Sequence, residues 1–200
     1  QKLFLGIYFM DQIEQGVQTI QNAVNQYGSW KDVITVSIGN ELVNSNQANP
    51  SQVGSYVAAG RSALQAAGYT GPVVSVDTFI SVINNPELCQ YSDYMAVNAH
   101  AYFDQNTAAQ DSGKWLLQQI QRVWTACGGN KDVVITESGW PSKGETYGLA
   151  VPSKENQRAA VDSITSVCGT DTFLYNAYND YWKADGPTGV EKYWGILSDE

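Results

Sequence analysis

Soft and imidazole metal ligands are scarce in this chain: one histidine, His100, and three cysteines, Cys89, Cys127 and Cys168. None stands in CxxC or Cys/His ligand spacing, which argues against a structural zinc site, and no cofactor or metal is expected. One disulfide with one free thiol, or three buried thiols, are both compatible with the count. Positive charge is also in short supply. Lys and Arg total 11 against 20 Asp and Glu, a formal charge of -9 that disfavours nucleic acid or an anionic membrane as partner. No run approaches the roughly 18 apolar residues of a membrane span. The opening Gln1-Lys2-Leu3-Phe4-Leu5-Gly6 reads as a strand and lacks the layout of a signal peptide. No G-x-G-x-x-G or G-x-x-x-x-G-K-[ST] loop follows a strand, which removes the usual chemistry of nucleotide-binding open sheets. A Gly-x-Ser-x-Gly elbow is missing as well, so the lone histidine is not assigned to a Ser/His/Asp triad. There is no Asn-x-Ser/Thr acceptor with x other than Pro, hence no glycosylation clue to secretion.

What is present is enough chain for one sizeable core: 200 residues, 43% hydrophobic, without a composition shift to mark a second domain. Residues 1–200 are read as a single domain. Twelve Tyr and six Trp are many for this length, and aromatic faces suit the apolar faces of sugars as well as a protein core. Six short runs, Leu3–Phe9, Val33–Ile38, Val73–Val76, Tyr94–Ala99, Val133–Thr136 and Thr172–Ala177, are apolar enough to be strands buried on both faces. Helical stripes lie between them: Ile13, Val17, Ile20 and Val24; Val53, Val57 and Leu64; Leu116, Ile120 and Cys127; Val161, Ile164 and Cys168. Ser51 and Ser153 are the expected N-caps, with Gly28, Gly68, Gly128 and Gly169 as stops. The alternation predicts α/β architecture with a parallel sheet, either doubly wound or part of an eight-stranded barrel. The missing phosphate loop favours the barrel.

In either layout function gathers at the carboxyl ends of the strands, and here these ends are polar. The second closes on Gly39-Asn40-Glu41, the third on Asp77-Thr78, the fourth on Asn98-Ala99-His100-Ala101-Tyr102-Phe103, and the fifth on Thr136-Glu137-Ser138-Gly139-Trp140-Pro141. A glutamate directly after a buried apolar strand is costly unless it is paired or used. Two such carboxylates across a sugar-sized gap are what glycoside hydrolysis needs: one protonates the leaving oxygen, and the other attacks the anomeric carbon or activates water.

Ile34-Thr35-Val36-Ser37-Ile38-Gly39-Asn40-Glu41 and Val133-Val134-Ile135-Thr136-Glu137-Ser138-Gly139-Trp140-Pro141-Ser142 resemble the two signatures of glycoside hydrolase family 17, in the family's order. The resemblance implies a (β/α)8 TIM-type barrel and a retaining mechanism on β-1,3-glucan and related β-glucans, with Glu41 as acid/base and Glu137 as nucleophile. Asn40 would hold the sugar's 2-hydroxyl, and Tyr102 matches a tyrosine that hydrogen-bonds the nucleophile. Asn179-Asp180-Tyr181-Trp182-Lys183, followed by Gly189-Val190-Glu191-Lys192-Tyr193-Trp194-Gly195-Ile196, is more similar to the fungal cell-wall branch than to the plant enzymes. That branch includes β-1,3-glucanosyltransferases. The resemblance begins at the family's third strand, so the first two βα units are expected to be missing from the N-terminus. A piece of a longer chain is favoured over an open barrel, which would expose two long strand edges.

Asp77, Asn98, Tyr102, Phe103 and Trp182 complete the expected substrate contacts, Asp77 standing at even odds between binding and loop capping. Trp140 is read as packing, and Tyr147 as a candidate cleft residue. By the barrel's layout the cysteines precede strands at the face away from the chemistry, and a Cys89–Cys127 bridge with Cys168 unpaired is expected. The expectation is therefore a retaining, endo-acting β-1,3-glucan-cleaving enzyme of the cell wall, secreted and monomeric, with hydrolysis or transfer to a glucan acceptor. The alternative is a catalytically silent β-glucan-binding wall protein on the same barrel.

Overall fold

The structure is a computed structural model that describes residues 1–169 and 172–198. All six expected strands form: β1 (Leu3–Ile7), β2 (Val33–Asn40), β3 (Val73–Thr78), β4 (Met95–Asn98), β5 (Val133–Ser138) and β6 (Thr172–Leu174). The long helices are α1 (Ile13–Tyr27), α2 (Pro50–Ala66), α4 (Ser112–Ala126) and α5 (Lys154–Cys168); a short one, α3 (Phe79–Asn84), was not foreseen. The strands follow sequence order in the sheet, and the β1–β2, β2–β3 and β5–β6 pairs are parallel. The chain forms two compact units, residues 1–97 with 123–133 and residues 98–122 with 134–200.

In the first unit β2 is buried nearly throughout, with Val36 and Ile38 fully so. Each such aliphatic side chain contributes about 1.5–3 kcal/mol when taken from water. Val74, Val76 and Ala96 form a cluster backed by Phe4 and Tyr94, and the Tyr94 hydroxyl lies 2.6 Å from Thr35 Oγ1. Ile13, Val17 and Val24 are the buried face of α1, and Val53, Val57, Gly60 and Leu64 that of α2. A Cβ on Gly60 would come within 2.5 Å of Ile38 Cδ1, so α2 lies too close to β2 for a larger residue there. The cap of α2 corrects the sequence reading. Asn49, not Ser51, is the N-cap: its Oδ1 accepts from Gln52 N at 3.0 Å, and Gln52 Oε1 accepts from Asn49 N at 2.9 Å. Pro50 takes the first helical position, where a missing N–H costs nothing. Cys89 and Cys127 are bridged, and Cys168 is free.

In the second unit α5 starts at Ser153, whose Oγ accepts from Asn156 N at 3.0 Å, and ends at Gly169 with φ 59°. Trp140 is fully buried, its indole N–H donating to Val151 O at 3.0 Å, as the packing reading requires. Gly113 abuts α5 so closely that a Cβ would lie 2.1 Å from Ser163 O.

Tyr69, buried against Trp30, donates its hydroxyl to Pro72 O at 3.0 Å. Burial, with the charges of Tyr94 and Asp93, pushes its pKa up to about 12. The neutral phenol therefore contributes stability that is present in full below the unfolded value of about 10 and is lost as pH rises through about 12. Phenolate absorbance should show one tyrosine ionising near pH 12, and Tyr69→Phe should remove that step and flatten the alkaline fall in stability.

Candidate active site

The first unit carries Glu41. Strand β2 leaves the sheet through Gly39, at φ 78°, where an added Cβ would lie 2.6 Å from Leu42 Cδ1. Glu41 itself sits at φ 52°. A left-handed non-glycine residue costs about 1–2 kcal/mol, and such residues gather at functional sites. Asn40 ends β2 opposite Val76, and Glu41 N donates to Val76 O at 2.9 Å. The half-buried Glu41 carboxylate accepts from Asn44 Nδ2 at 3.2 Å. Asp77, read at even odds between substrate binding and loop capping, caps the loop. Only 4% exposed, it points into the loop after Glu41, accepting from Val43 N at 2.8 Å, Asn44 N at 3.2 Å and Thr78 N at 2.8 Å. Burial raises its pKa, and these donors with the Ser81 hydroxyl partly offset that.

The second unit carries Glu137, on β5. Its Oε2 lies 3.4 Å from His100 Nε2, a long hydrogen bond, and its carbonyl accepts from Ala99 N at 2.9 Å. The His100 ring is packed edge-on against Phe103, Tyr175 and Trp194, with centroids 6.3, 5.5 and 4.8 Å away, and its Nδ1 is buried with no hydrogen-bond partner among the described residues. The donor in the Nε2–Glu137 contact depends on the ring's tautomer, and only a ring with the proton on Nε2 can donate to the carboxylate. Asn98 is buried, its Oδ1 accepting from Thr136 Oγ1 at 2.8 Å.

Tyr102 corrects an expected contact. It is fully buried and donates its hydroxyl to Glu145 O at 2.6 Å, so it neither bonds Glu137 nor meets solvent. Its ring packs on Trp140 and Trp194, and the loop carbonyl takes its only O–H. The phenol that feels the charge of Glu137 is Tyr175, pushed up by burial, with the charges of Glu137 and Asp180 adding to the rise and Lys183 opposing it. Tyr175 Oη lies 2.5 Å from Lys183 Nζ, which also pairs with Asp180 Oδ2 at 3.0 Å. Phe103 and Trp182 are exposed, Trp182 at 82%, with its indole N–H on Asp180 Oδ1 at 3.3 Å. Tyr147 is also exposed and bridges to Ala150.

A family model described as the BtgE/BtgC glycoside hydrolase domain matches residues 1–195. The chain belongs to this family. It is 80% identical over 200 residues to the probable family 17 glucosidase SCW4 of Saccharomyces cerevisiae, covering all of this chain and 52% of that protein. It is 64% identical over 198 residues to the cell surface mannoprotein MP65 of Candida albicans, covering 99% of this chain and 52% of that one. The chain thus spans about half the length of the curated relatives it matches. Among solved structures, a glycoside hydrolase family 17 β-1,3-glucanosyltransferase from Rhizomucor miehei matches with TM-score 0.80 at 19% identity, over 98% of this chain and 71% of that one. An active-site mutant of that enzyme in complex with laminaritriose matches with the same TM-score at 18% identity, over the same shares of both chains. The fold is accordingly that of part of a family 17 (β/α) barrel.

Within this glycoside hydrolase domain, sequence reasoning undervalued His100 and overlooked Tyr175 and Asn44. The signal for His100 was its place two residues past Asn98 on a strand end. Tyr175 directly follows β6, and Asn44 lies three residues after Glu41, one turn on. Tyr102→Phe should lower stability by about 1–3 kcal/mol, because it strands a buried carbonyl. Denaturant unfolding should show that loss, and an unchanged unfolding midpoint would contradict the buried bond.

Proposed function

We propose that the protein containing this chain is a retaining, endo-acting β-1,3-glucan-cleaving enzyme, with Glu41 as acid/base and Glu137 as nucleophile. The observation that carries the reading is that each glutamate closes a parallel strand of a glycoside hydrolase domain, at the end where barrel chemistry gathers. Glu137 attacks the anomeric carbon as the glycosidic C–O bond breaks, and Glu41 delivers its proton to the leaving oxygen. Glu41 then takes a proton from water or an acceptor hydroxyl, whose oxygen displaces Glu137. Water gives hydrolysis, and a glucan hydroxyl gives transfer. The His100 ring nitrogen, 3.4 Å from Oε2, would hold the Glu137 carboxyl group turned for attack. Asn40 is assigned the sugar's 2-hydroxyl, while Asn98, Phe103 and Trp182 remain proposed contacts, Trp182 offering an open ring face for stacking. The likeness to a cell surface mannoprotein supports a cell-wall setting, and the laminaritriose complex of the Rhizomucor enzyme supports a β-1,3-linked ligand.

In the full-length protein, Glu41→Gln and Glu137→Gln should each lower kcat on laminari-oligosaccharides by about a hundredfold or more. Normal turnover in either variant would overturn the assignment. Products longer than the donor identify transfer, and products exclusively shorter identify hydrolysis. Binding of the oligosaccharides without any turnover by the unsubstituted protein would favour the silent wall protein instead.

A further inference from the structure

We propose that Asn44 is a positioning residue for the Glu41 carboxyl group and that buried Asp77 anchors it. The proposal rests on the reading of Glu41 as the acid/base. After Glu41 the chain makes a tight turn rather than entering a helix directly: Ser45 N and Ser45 Oγ both donate to Glu41 O, at 2.9 and 2.6 Å, and Gln47 N returns to Leu42 O at 2.9 Å. The side chain of Asn44 is exposed, so its rotamer is set by the contacts it makes rather than by burial.

Two contacts select it. The carboxamide N–H donates to Glu41 Oε2 at 3.2 Å, and its oxygen lies 3.3 Å from Thr78 Oγ1. That orientation uses the amide in the one sense chemistry allows, since a carboxylate only accepts and a hydroxyl can give. Asp77 fixes the backbone from which Asn44 projects. One of its oxygens takes Val43 N, and the other takes both Asn44 N and Thr78 N. A carboxylate accepts at both oxygens; the amide of Asp77→Asn would turn an N–H donor toward at least one backbone N–H. Strand β3 thus holds the peptide after Glu41 from below, and Asn44 reaches back to the carboxyl group. A residue whose charge is buried and spent on three backbone donors serves the loop's geometry, which matters because an acid displaced by about 1 Å can cost a hundredfold.

The test reads acid catalysis separately from folding. In the full-length protein, single-turnover glycosylation is measured with two aryl or alkyl β-laminaribiosides, one with a dinitrophenolate leaving group that needs no proton and one with an alkoxide that does. Asn44→Ala should slow the alkoxide substrate about ten- to a hundredfold while leaving the dinitrophenyl substrate within about twofold. Asp77→Asn should show the same selectivity; if it fails to fold, the exposed Asn44→Ala decides alone. An equal loss on both substrates, or none on either, overturns the proposal. Glu41→Ala run alongside separates the two levels. Its failure to discriminate between leaving groups overturns the acid/base reading itself, whereas a selective Glu41→Ala beside an unselective Asn44→Ala overturns only the positioning role.

Discussion

A parallel strand buried on both faces can show a polar side chain to a ligand only where it ends. β2 obeys this closely past Ile34: Val36 and Ile38 are inaccessible, Thr35 and Ser37 are buried, and the first part-exposed polar side chains are those of Asn40 and Glu41. The same constraint explains what happens one strand further on. Asp77 is still inside the sheet, so its charge cannot be left to solvent and is taken up by backbone donors of the neighbouring loop. Burial thus sorts the strand-end carboxylates, leaving Glu41 part-exposed and giving Asp77 to the scaffold.

The fold was legible because its signals are local and repeated. Short apolar runs bounded by turn signals read as strands, although β1 and β6 are partly exposed rather than covered on both sides, and α1, α2 and α5 show their stripes and stops within a few turns of sequence. The boundary of α2 was missed because Asn49-Pro50-Ser51-Gln52 contains two cap-competent residues; the reciprocal bond from Gln52 and the proline at the first helical position decide for Asn49. The bridge between Cys89 and Cys127 needed the barrel's layout, since nothing in the spacing of three cysteines selects a pair.

The site was legible to a lesser depth. Glu41 and Glu137 announce themselves as acids behind buried strands, a local feature. Which side chain serves which partner is not local. Tyr102 and His100 are two residues apart at the same strand end, yet the phenol turns into the core to satisfy Glu145 O while the imidazole meets Glu137. The choice depends on Trp194, whose ring packs on both, and on Trp140, which packs on Tyr102; they lie 92 and 38 positions beyond Tyr102 in the chain. A short-range pattern carries no trace of it.

The covalent link between Cys89 and Cys127 has a topological consequence. The chain leaves the first compact unit after Val97 and re-enters it at Val123, so the bridge closes a ring of sequence around the whole excursion. A backbone cut anywhere in that excursion would leave both new ends tied to the same body, and the two pieces could not diffuse apart until the sulfurs were reduced. With a sequence separation of 38, the ring also strips the unfolded chain of conformational freedom equivalent to about 3–4 kcal/mol. The covalent clasp is on the unit that carries Glu41, and the segment it encloses is the one that presents His100 to Glu137.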